Sequence, residues 1–277
     1  MFKIVKRRDL TPVTKLFVVD APLVARSAKP GQFVIVRIRE QGERIPLTIA
    51  DYDPEAGTVT IIFQEVGMTT RLMGELKEGD ELLDFVGPLG QAAPEVTEGN
   101  VIFVGGGFGV APIYPIAKQY FNAGVHVESI IGARTKDLLI LKEEMETVSH
   151  RLHVATDDGS LGHKGFVTEV LQRMIDEGQR MDIVVAIGPM VMMRAVTEVT
   201  RPYGIKTLVS VDPIMVDGTG MCGACRVTVG GKTKFACVDG PIFDAHEVDF
   251  DEAVRRGKMY AEEERRANEA CRCGGGA

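Results

Sequence analysis

Residues 101–120 read VIFVGGGFGVAPIYPIAKQY, an apolar run that turns on glycine and continues with helical spacing. The first half has the composition of a buried strand, and the second half opens a helix at Val110 and Pro112. Between them Gly105, Gly106, Gly107 and Gly109 remove side chains from the turn. Backbone N–H groups can then approach a pyrophosphate at the positive end of the helix dipole. A tight strand-to-helix turn needs glycine whatever it binds, and the spacing is not G-x-G-x-x-G, so the plain dinucleotide fingerprint is not met. The weight comes from position, because this is the first of five strands that alternate with helices.

The other four strands are HVESIIGA (126–133), RLHVATDD (151–158), DIVVAIGP (182–189) and KTLVSVD (206–212). Helical stretches such as LLILKEEMETVSH (138–150) and FVTEVLQRMIDEG (166–178) lie between them. The alternation predicts a parallel sheet with helices on both faces over residues 99–211. Ligands of such sheets sit outside the carboxyl ends of the strands. Those ends carry Arg134, Asp157, Asp158, Gly188, Pro189 and Met190. Either aspartate can accept a hydrogen bond from a ribose hydroxyl or cap the helix that follows. Arg134 can hold a 2′-phosphate or pair with a surface carboxylate.

Upstream, residues 1–98 change texture. KLFVVDAP (15–22), QFVIVRI (32–38), TVTIIFQE (58–65) and ELLDFVG (81–87) are short strands divided by glycine and proline, the pattern of a small antiparallel β-barrel. Two phosphate-holding devices stand out there. ERIPLTIADY (43–52) presents Arg44, Pro46, Leu47 and Thr48, and EVGMTTRLMGEL (65–76) places Gly67, Thr69 and Thr70 at a helix start. Ordinary turn and cap chemistry accounts for either one equally well.

The bulk properties exclude several classes. The chain has 277 residues, 45% of them hydrophobic, and a net charge of −7 that no basic stretch offsets, so neither nucleic acid nor an anionic membrane is an expected partner. The longest apolar run is broken by glycine and proline, the first ten residues lack the apolar core of a signal peptide, and five cysteines make a disulfide framework improbable. A reducing cytoplasm is the expected compartment. The histidines at 126, 150, 153, 163 and 246 make no metal-spaced pair. Residues 251–277 read as a polar helical tail with Glu and Arg at three- and four-residue spacing, and its Cys271 and Cys273 as exposed free thiols.

Residues 212–250 form a cysteine module. VDGTGMCGACRVTVGGKTKFAC (216–237) gives C-x₂-C at Cys222 and Cys225, then Cys237 after a hairpin. Three thiolates leave a metal site one ligand short. Structural zinc and buried core thiols are the plain alternatives.

The order of barrel, nucleotide domain and cysteine module resembles the ferredoxin-reductase superfamily. RIPLTIAD is similar to its flavin-binding strand, GMTTRL to its phosphate loop and GGGFGVAPIYP to its nicotinamide-nucleotide loop. ATDDGSLGHKGFVTEVL and the stretch from Asp212 to Asp244 resemble, more narrowly, the electron-transfer subunits of dihydroorotate dehydrogenase and the small subunits of NADH-dependent reduced ferredoxin:NADP oxidoreductases. The resemblance implies FAD on Arg44, Thr48 and Gly67 to Thr70, and NAD(H) on Gly106 to Pro112, Asp157, Asp158 and Gly188 to Met190. It also implies a [2Fe–2S] cluster. Its C-x₄-C-x₂-C pattern, laid over this chain, puts Asp217 in the first slot beside Cys222, Cys225 and Cys237, and a carboxylate is an acceptable hard ligand for iron. The cofactors then carry the chemistry and no catalytic side chain is needed. Electrons leave for a larger flavin and iron–sulfur subunit in a heterodimer, and ferredoxin is met only through that partner. Subunits of a dihydroorotate dehydrogenase or a sulfide dehydrogenase are the related alternatives.

Overall fold

A computed structural model describes residues 1–273, with side chains as far as Glu269, so the expectation for the Cys271 and Cys273 thiols lies outside the described residues. The chain opens with β1 (Phe2–Thr11), β2 (Thr14–Asp20), α1 (Pro22–Ser27), β3 (Phe33–Arg37), β4 (Ile45–Asp53) and β5 (Thr58–Gln64). Then come α2 (Met68–Glu75), β6 (Glu81–Leu82) and β7 (Asp84–Leu89). These strands form one antiparallel sheet in the order β6-β1-β2-β5-β4-β3-β7. Its two ends meet: the rings of Phe2 on β1 and Phe85 on β7 lie 5.7 Å apart. The sheet curls because β-branched and aromatic residues on one face, including Ile4, Phe17, Ile49 and Phe63, close around a common core.

The second sheet follows the expected alternation. It contains β8 (Asn100–Gly106), α3 (Val110–Asn122), β9 (His126–Ala133), α4 (Lys142–Thr147), β10 (Arg151–Thr156) and β11 (His163–Lys164). It continues with α5 (Val167–Asp176), β12 (Ile183–Ile187), α6 (Met190–Thr200) and β13 (Lys206–Ser210). The helix expected across 138–150 is shorter than its sequence suggests. Leu141 adopts a left-handed φ of 53° before α4, and Ile140 and Leu141 bury themselves as a loop against the sheet instead of extending a helical face.

The cysteine segment supplies β14 (Arg226–Val229), β15 (Lys232–Phe235), α7 (Ala236–Asp239) and β16 (Ile242–Asp244), followed by α8 (Phe250–Arg256) and α9 (Ala261–Cys273). β14 and β15 form the expected hairpin. β16 was not expected. It joins the parallel sheet antiparallel to β13 and completes the order β11-β10-β9-β8-β12-β13-β16. A three-residue edge strand carries too little periodicity to be read from sequence. α9 leans on α2, and Glu262, Arg265, Arg266 and Glu269 form the expected ion pairs along it.

The three parts share one buried cluster. Phe33 and Ile35 of β3, Val104 and Ala186 of the parallel sheet, and Met215, Cys225 and Cys237 of the cysteine segment all pack in it. On the other flank α3 packs on β4, and Lys118 Nζ lies 3.0 Å from both Asp51 carboxylate oxygens. No described helix is long and apolar enough to cross a membrane. Ile35→Ala, which empties the shared cluster, is expected to cost about 2–5 kcal/mol. Lys118→Met, at a half-exposed ion pair, should cost less than about 1 kcal/mol. Urea unfolding of the two variants checks the ranking.

Candidate functional site

A cleft of about 810 Å³ opens at the carboxyl ends of the parallel strands. It brings together Gly106, Gly107, Gly109, Pro112, Arg134, Asp157, Gly188, Pro189 and Met190 from the second sheet and Thr48 from the barrel. Val110 does not line it; its side chain is buried in the first turn of α3. Two glycines are required by geometry. Gly107 has a φ of 55° and open space where a side chain would point. A Cβ on Gly109 would fall on the Ile187 carbonyl oxygen, so glycine is what lets the first turn approach the β12–α6 turn.

The two aspartates separate. Asp157 lines the cleft, whereas the Asp158 carboxylate accepts from the Ser160 N–H at 2.9 Å and closes its own turn. The Ser160 hydroxyl and, after it, that backbone contact lower the Asp158 pKa. Arg134 is exposed, lines the cleft and forms no ion pair among the described residues.

The cleft also contains residues that sequence reasoning missed: Val13, Thr14 and Gln64 of the barrel, and Ser210 and Asp212. Only tertiary packing could have found the first three. Asp212 ends the quoted strand KTLVSVD, and the strand-end rule that selected Asp157 selects it too. Asp212 is exposed to the cleft, yet enough protein stands around its carboxyl that partial desolvation pushes its pKa up to about 6. Since water still reaches the group, the shift represents less energy than it would in a sealed interior.

A second cluster sits on the barrel. Glu43, beside Arg44, accepts a 2.5 Å hydrogen bond from the Thr69 hydroxyl, which holds the start of β4 against the start of α2. Thr70 Oγ1 accepts from the Val66 and Gly67 amides at 3.1 and 3.0 Å and caps the helix. Gly67 leaves open space beside that terminus. Arg44 lies 3.3 Å from Asp84, whose carboxylate also holds Arg37 at 2.6 Å. None of Arg44, Gly67, Thr69 and Thr70 lines the cleft. Thr48 lies four residues beyond Arg44, roughly 13 Å along an extended strand, so one elongated ligand can span both places. Leu47 points into the barrel core, and the half-buried Pro46 lies on the outward face with Thr48.

The four candidate metal ligands stand as two pairs. Cys222 Sγ is 3.1 Å from Asp217 Oδ1, and Cys225 Sγ is 3.1 Å from Cys237 Sγ. Among the described residues no three such donors converge on a single point. Hydrogen bonds from the Cys222 thiol and the Thr219 hydroxyl lower the Asp217 pKa to about 2, so it is a carboxylate. Burial and the neighbouring Cys225 push the Cys237 thiol up. Gly218, with a φ of 78°, lays the loop on the barrel: a Cβ there would come within 2.8 Å of Leu89 and 3.0 Å of Ile35.

Two domain families match the chain. Residues 103–198 match the oxidoreductase NAD-binding domain, and residues 212–249 match the iron–sulfur cluster binding domain of dihydroorotate dehydrogenase B. The chain is 49% identical over 263 residues to a dihydroorotate dehydrogenase B (NAD(+)) electron transfer subunit homolog of Thermotoga maritima, covering 95% of this chain and 93% of the relative. It is 35% identical over 254 residues to the corresponding electron transfer subunit of Geobacillus thermodenitrificans, covering 88% and 96%. A chain from the structure of an NADH-dependent reduced ferredoxin-NADP oxidoreductase, described in terms of flavin-based electron bifurcation, superposes with a TM-score of 0.93 at 47% identity, covering 98% and 97%.

Two variants test the glycine argument. Gly109→Ala forces a carbon onto backbone and should cost more than about 2 kcal/mol, whereas Gly67→Ala should stay within about 0.5 kcal/mol. Thermal melts that rank them equally would remove the close-approach account. Asp212→Asn tests the enclosed carboxyl. A raised acid pKa means that ionisation opposes folding: the penalty is absent below pH 4, grows as pH rises towards 6 and stays constant above. The variant should therefore melt higher than the parent at pH 8, and the difference should vanish near pH 4.

Proposed function

The chain belongs to the family of dihydroorotate dehydrogenase B electron-transfer subunits and their homologues, and from that membership we propose the reaction it serves. It passes electrons between NAD(H), FAD and a [2Fe–2S] cluster and delivers them to a larger flavin and iron–sulfur subunit. The setting is ferredoxin:NADP transhydrogenation by flavin-based electron bifurcation, in a heterodimer that meets ferredoxin through the partner. The observation that carries this reading is the sharing of one strand pair by both ends of the path. Thr48 of the cleft pairs with Phe33 on β3, and Ile35, two residues along the same strand, meets Gly218 of the cysteine loop. Nucleotide cleft and cluster loop are thus held on the same few residues of the barrel.

The residues suit the groups they would hold. FAD converts between the two-electron exchange of a nicotinamide and the one-electron exchange of an iron–sulfur cluster. Arg44 and the amides at the start of α2 offer charge and N–H donors to its phosphates, and Thr48 carries the strand into the cleft. Gly107 and Gly109 present backbone amides to the nucleotide pyrophosphate. Asp157 disfavours a 2′-phosphate, which supports NAD(H) over NADP(H) although Arg134 lies in the same wall. A binuclear cluster would take two protein ligands at each iron, so the pairs Asp217 with Cys222 and Cys225 with Cys237 suit it, where a single-ion zinc site would need convergence. Ligation requires the buried thiols to lose their protons as the metal binds. A dihydroorotate dehydrogenase setting is the second reading, favoured by the description of the iron–sulfur family matched at 212–249.

Purified protein should carry flavin absorption and the broad visible band of a [2Fe–2S] cluster; colourless protein overturns the proposal. Asp217→Ala should lose most of its iron and sulfide during purification, and Asp217→Cys should keep the cluster with an altered spectrum. Cys222→Ala is the control that every cluster arrangement requires to fail. Full iron content and an unaltered electron paramagnetic resonance signal in Asp217→Ala would assign the fourth ligand elsewhere.

A further inference from the structure

Among the residues lining the cleft, three ionise: Arg134, Asp157 and Asp212. The strand order separates them. Asp157 follows β10 and Arg134 follows β9 on one side of the glycine turn after β8, whereas Asp212 follows β13, two strands away on the other side. At about 4.8 Å per strand, Asp212 stands roughly 14 Å from the end of β9 and roughly 19 Å from that of β10. Both separations exceed a physiological Debye length of about 8 Å, so neither group screens it or pairs with it.

Nothing nearer does so. No described side chain hydrogen-bonds to the Asp212 carboxyl or forms an ion pair with it. Apart from Arg134 and Asp157, every other residue that lines the cleft is uncharged, including Ser210, Gly188, Met190 and Met192 and, from the barrel, Thr14 and Thr48. Behind it, Val211 N–H bonds to the Pro241 carbonyl, which ties the segment to the edge strand β16. An acidic group therefore faces an apolar, ligand-sized space without a counter-charge. Isolation of this kind is costly to the free protein, and a cation arriving from the ligand relieves it.

The inference rests on the reading that this cleft holds a nicotinamide nucleotide. With the pyrophosphate at the glycine turn, the adenosine ribose belongs at Asp157 and Arg134. The nicotinamide ring then belongs on the opposite side, towards Asp212 and the barrel wall at Thr48. That ring is a cationic pyridinium in NAD⁺ and uncharged in NADH. We propose that Asp212 is the residue by which this cleft distinguishes the two oxidation states of its nucleotide, its ionised carboxylate favouring the cationic ring of NAD⁺ and its protonated form losing that preference. Because desolvation raises the carboxyl pKa to about 6, the group is ionised at pH 8 and modest acidification converts it to the neutral form. Arg134 and Asp157, at the adenosine end, act on both oxidation states alike.

The test is binding, not turnover. The holoprotein is titrated calorimetrically with NAD⁺, with 1,4,5,6-tetrahydro-NAD as an uncharged analogue that cannot donate hydride, and with ADP-ribose, which lacks the ring. At pH 8 the preference of the parent for NAD⁺ over the analogue should exceed that of Asp212→Asn by about tenfold, the size expected of a single half-hydrated charge pair. At pH 5 the parent should lose most of that preference, whereas the variant should be unchanged between the two pH values. ADP-ribose should bind parent and variant within about twofold, and Asp212→Glu should restore the preference. Equal preferences in parent and Asp212→Asn at pH 8 overturn the proposal, as does an ADP-ribose affinity that falls as far as that for NAD⁺. If Asp212→Asn does not fold, the parent alone decides, because a preference unchanged between pH 8 and pH 5 is incompatible with control by this carboxyl. Failure of the parent to bind any of the three ligands is a different result, which overturns the assignment of the cleft itself.

Discussion

The structure depends on the close approach of the cysteine loop to the barrel at Gly218. That residue has a left-handed backbone and no room for a side chain, because Ile35 and Leu89 occupy the space. From this contact the buried cluster spreads in two directions, into the thiol pair of Cys225 and Cys237 and into the parallel sheet at Val104 and Ala186. Apolar burial at such a junction is non-directional, so burial alone would permit sliding. Hydrogen bonding supplies the register: β16 pairs with β13, and Gln91 N–H bonds to the Gly240 carbonyl. The cysteine segment is thereby part of both larger bodies, and a group held there cannot drift relative to β3 and β4.

The nucleotide cleft follows from the same economy of side chains. The turns after β8 and β12 come together only because Gly109 lets the Ile187 carbonyl approach, and Gly188 packs on Gly106 in return. Closing two turns onto each other leaves backbone amides as the polar lining at the centre of the cleft and pushes ionisable groups to its ends. The result is a largely apolar space with charge at either extremity, which orients an elongated ligand by its ends.

The iron–sulfur loop shows why a donor count and a donor geometry are different facts. Asp217, Cys222, Cys225 and Cys237 satisfy the count, and the structure arranges them as two contacts of 3.1 Å rather than one closed shell. The Asp217 carboxylate is held ionised by hydrogen bonds within its own loop, so one of the four donors is already charged. The Cys237 thiol, pushed up by burial, is not, so holding a metal there would release a proton.

Much of this was legible in the chain itself. The β-rich first third, the alternation of apolar strands with helices from residue 100 onward, and the glycine turn at 105–109 are local patterns with fixed periods, and each fold class has few ways to satisfy them. The cysteine spacing is likewise a local fact. The sequence was less informative wherever a residue's role depends on what the fold carries to it. Thr14 and Gln64 face the nucleotide turn only because the barrel curls towards it, and β16 is a strand only because β13 offers an unpaired edge. Asp157 and Asp158 are adjacent and chemically identical in sequence, yet one faces the cleft and the other closes a turn on Ser160. Composition and spacing determined which chemistry the chain contains. Packing decided which copy of each group faces the ligand, because the direction of a side chain and the water around it are set by neighbours that are distant in sequence.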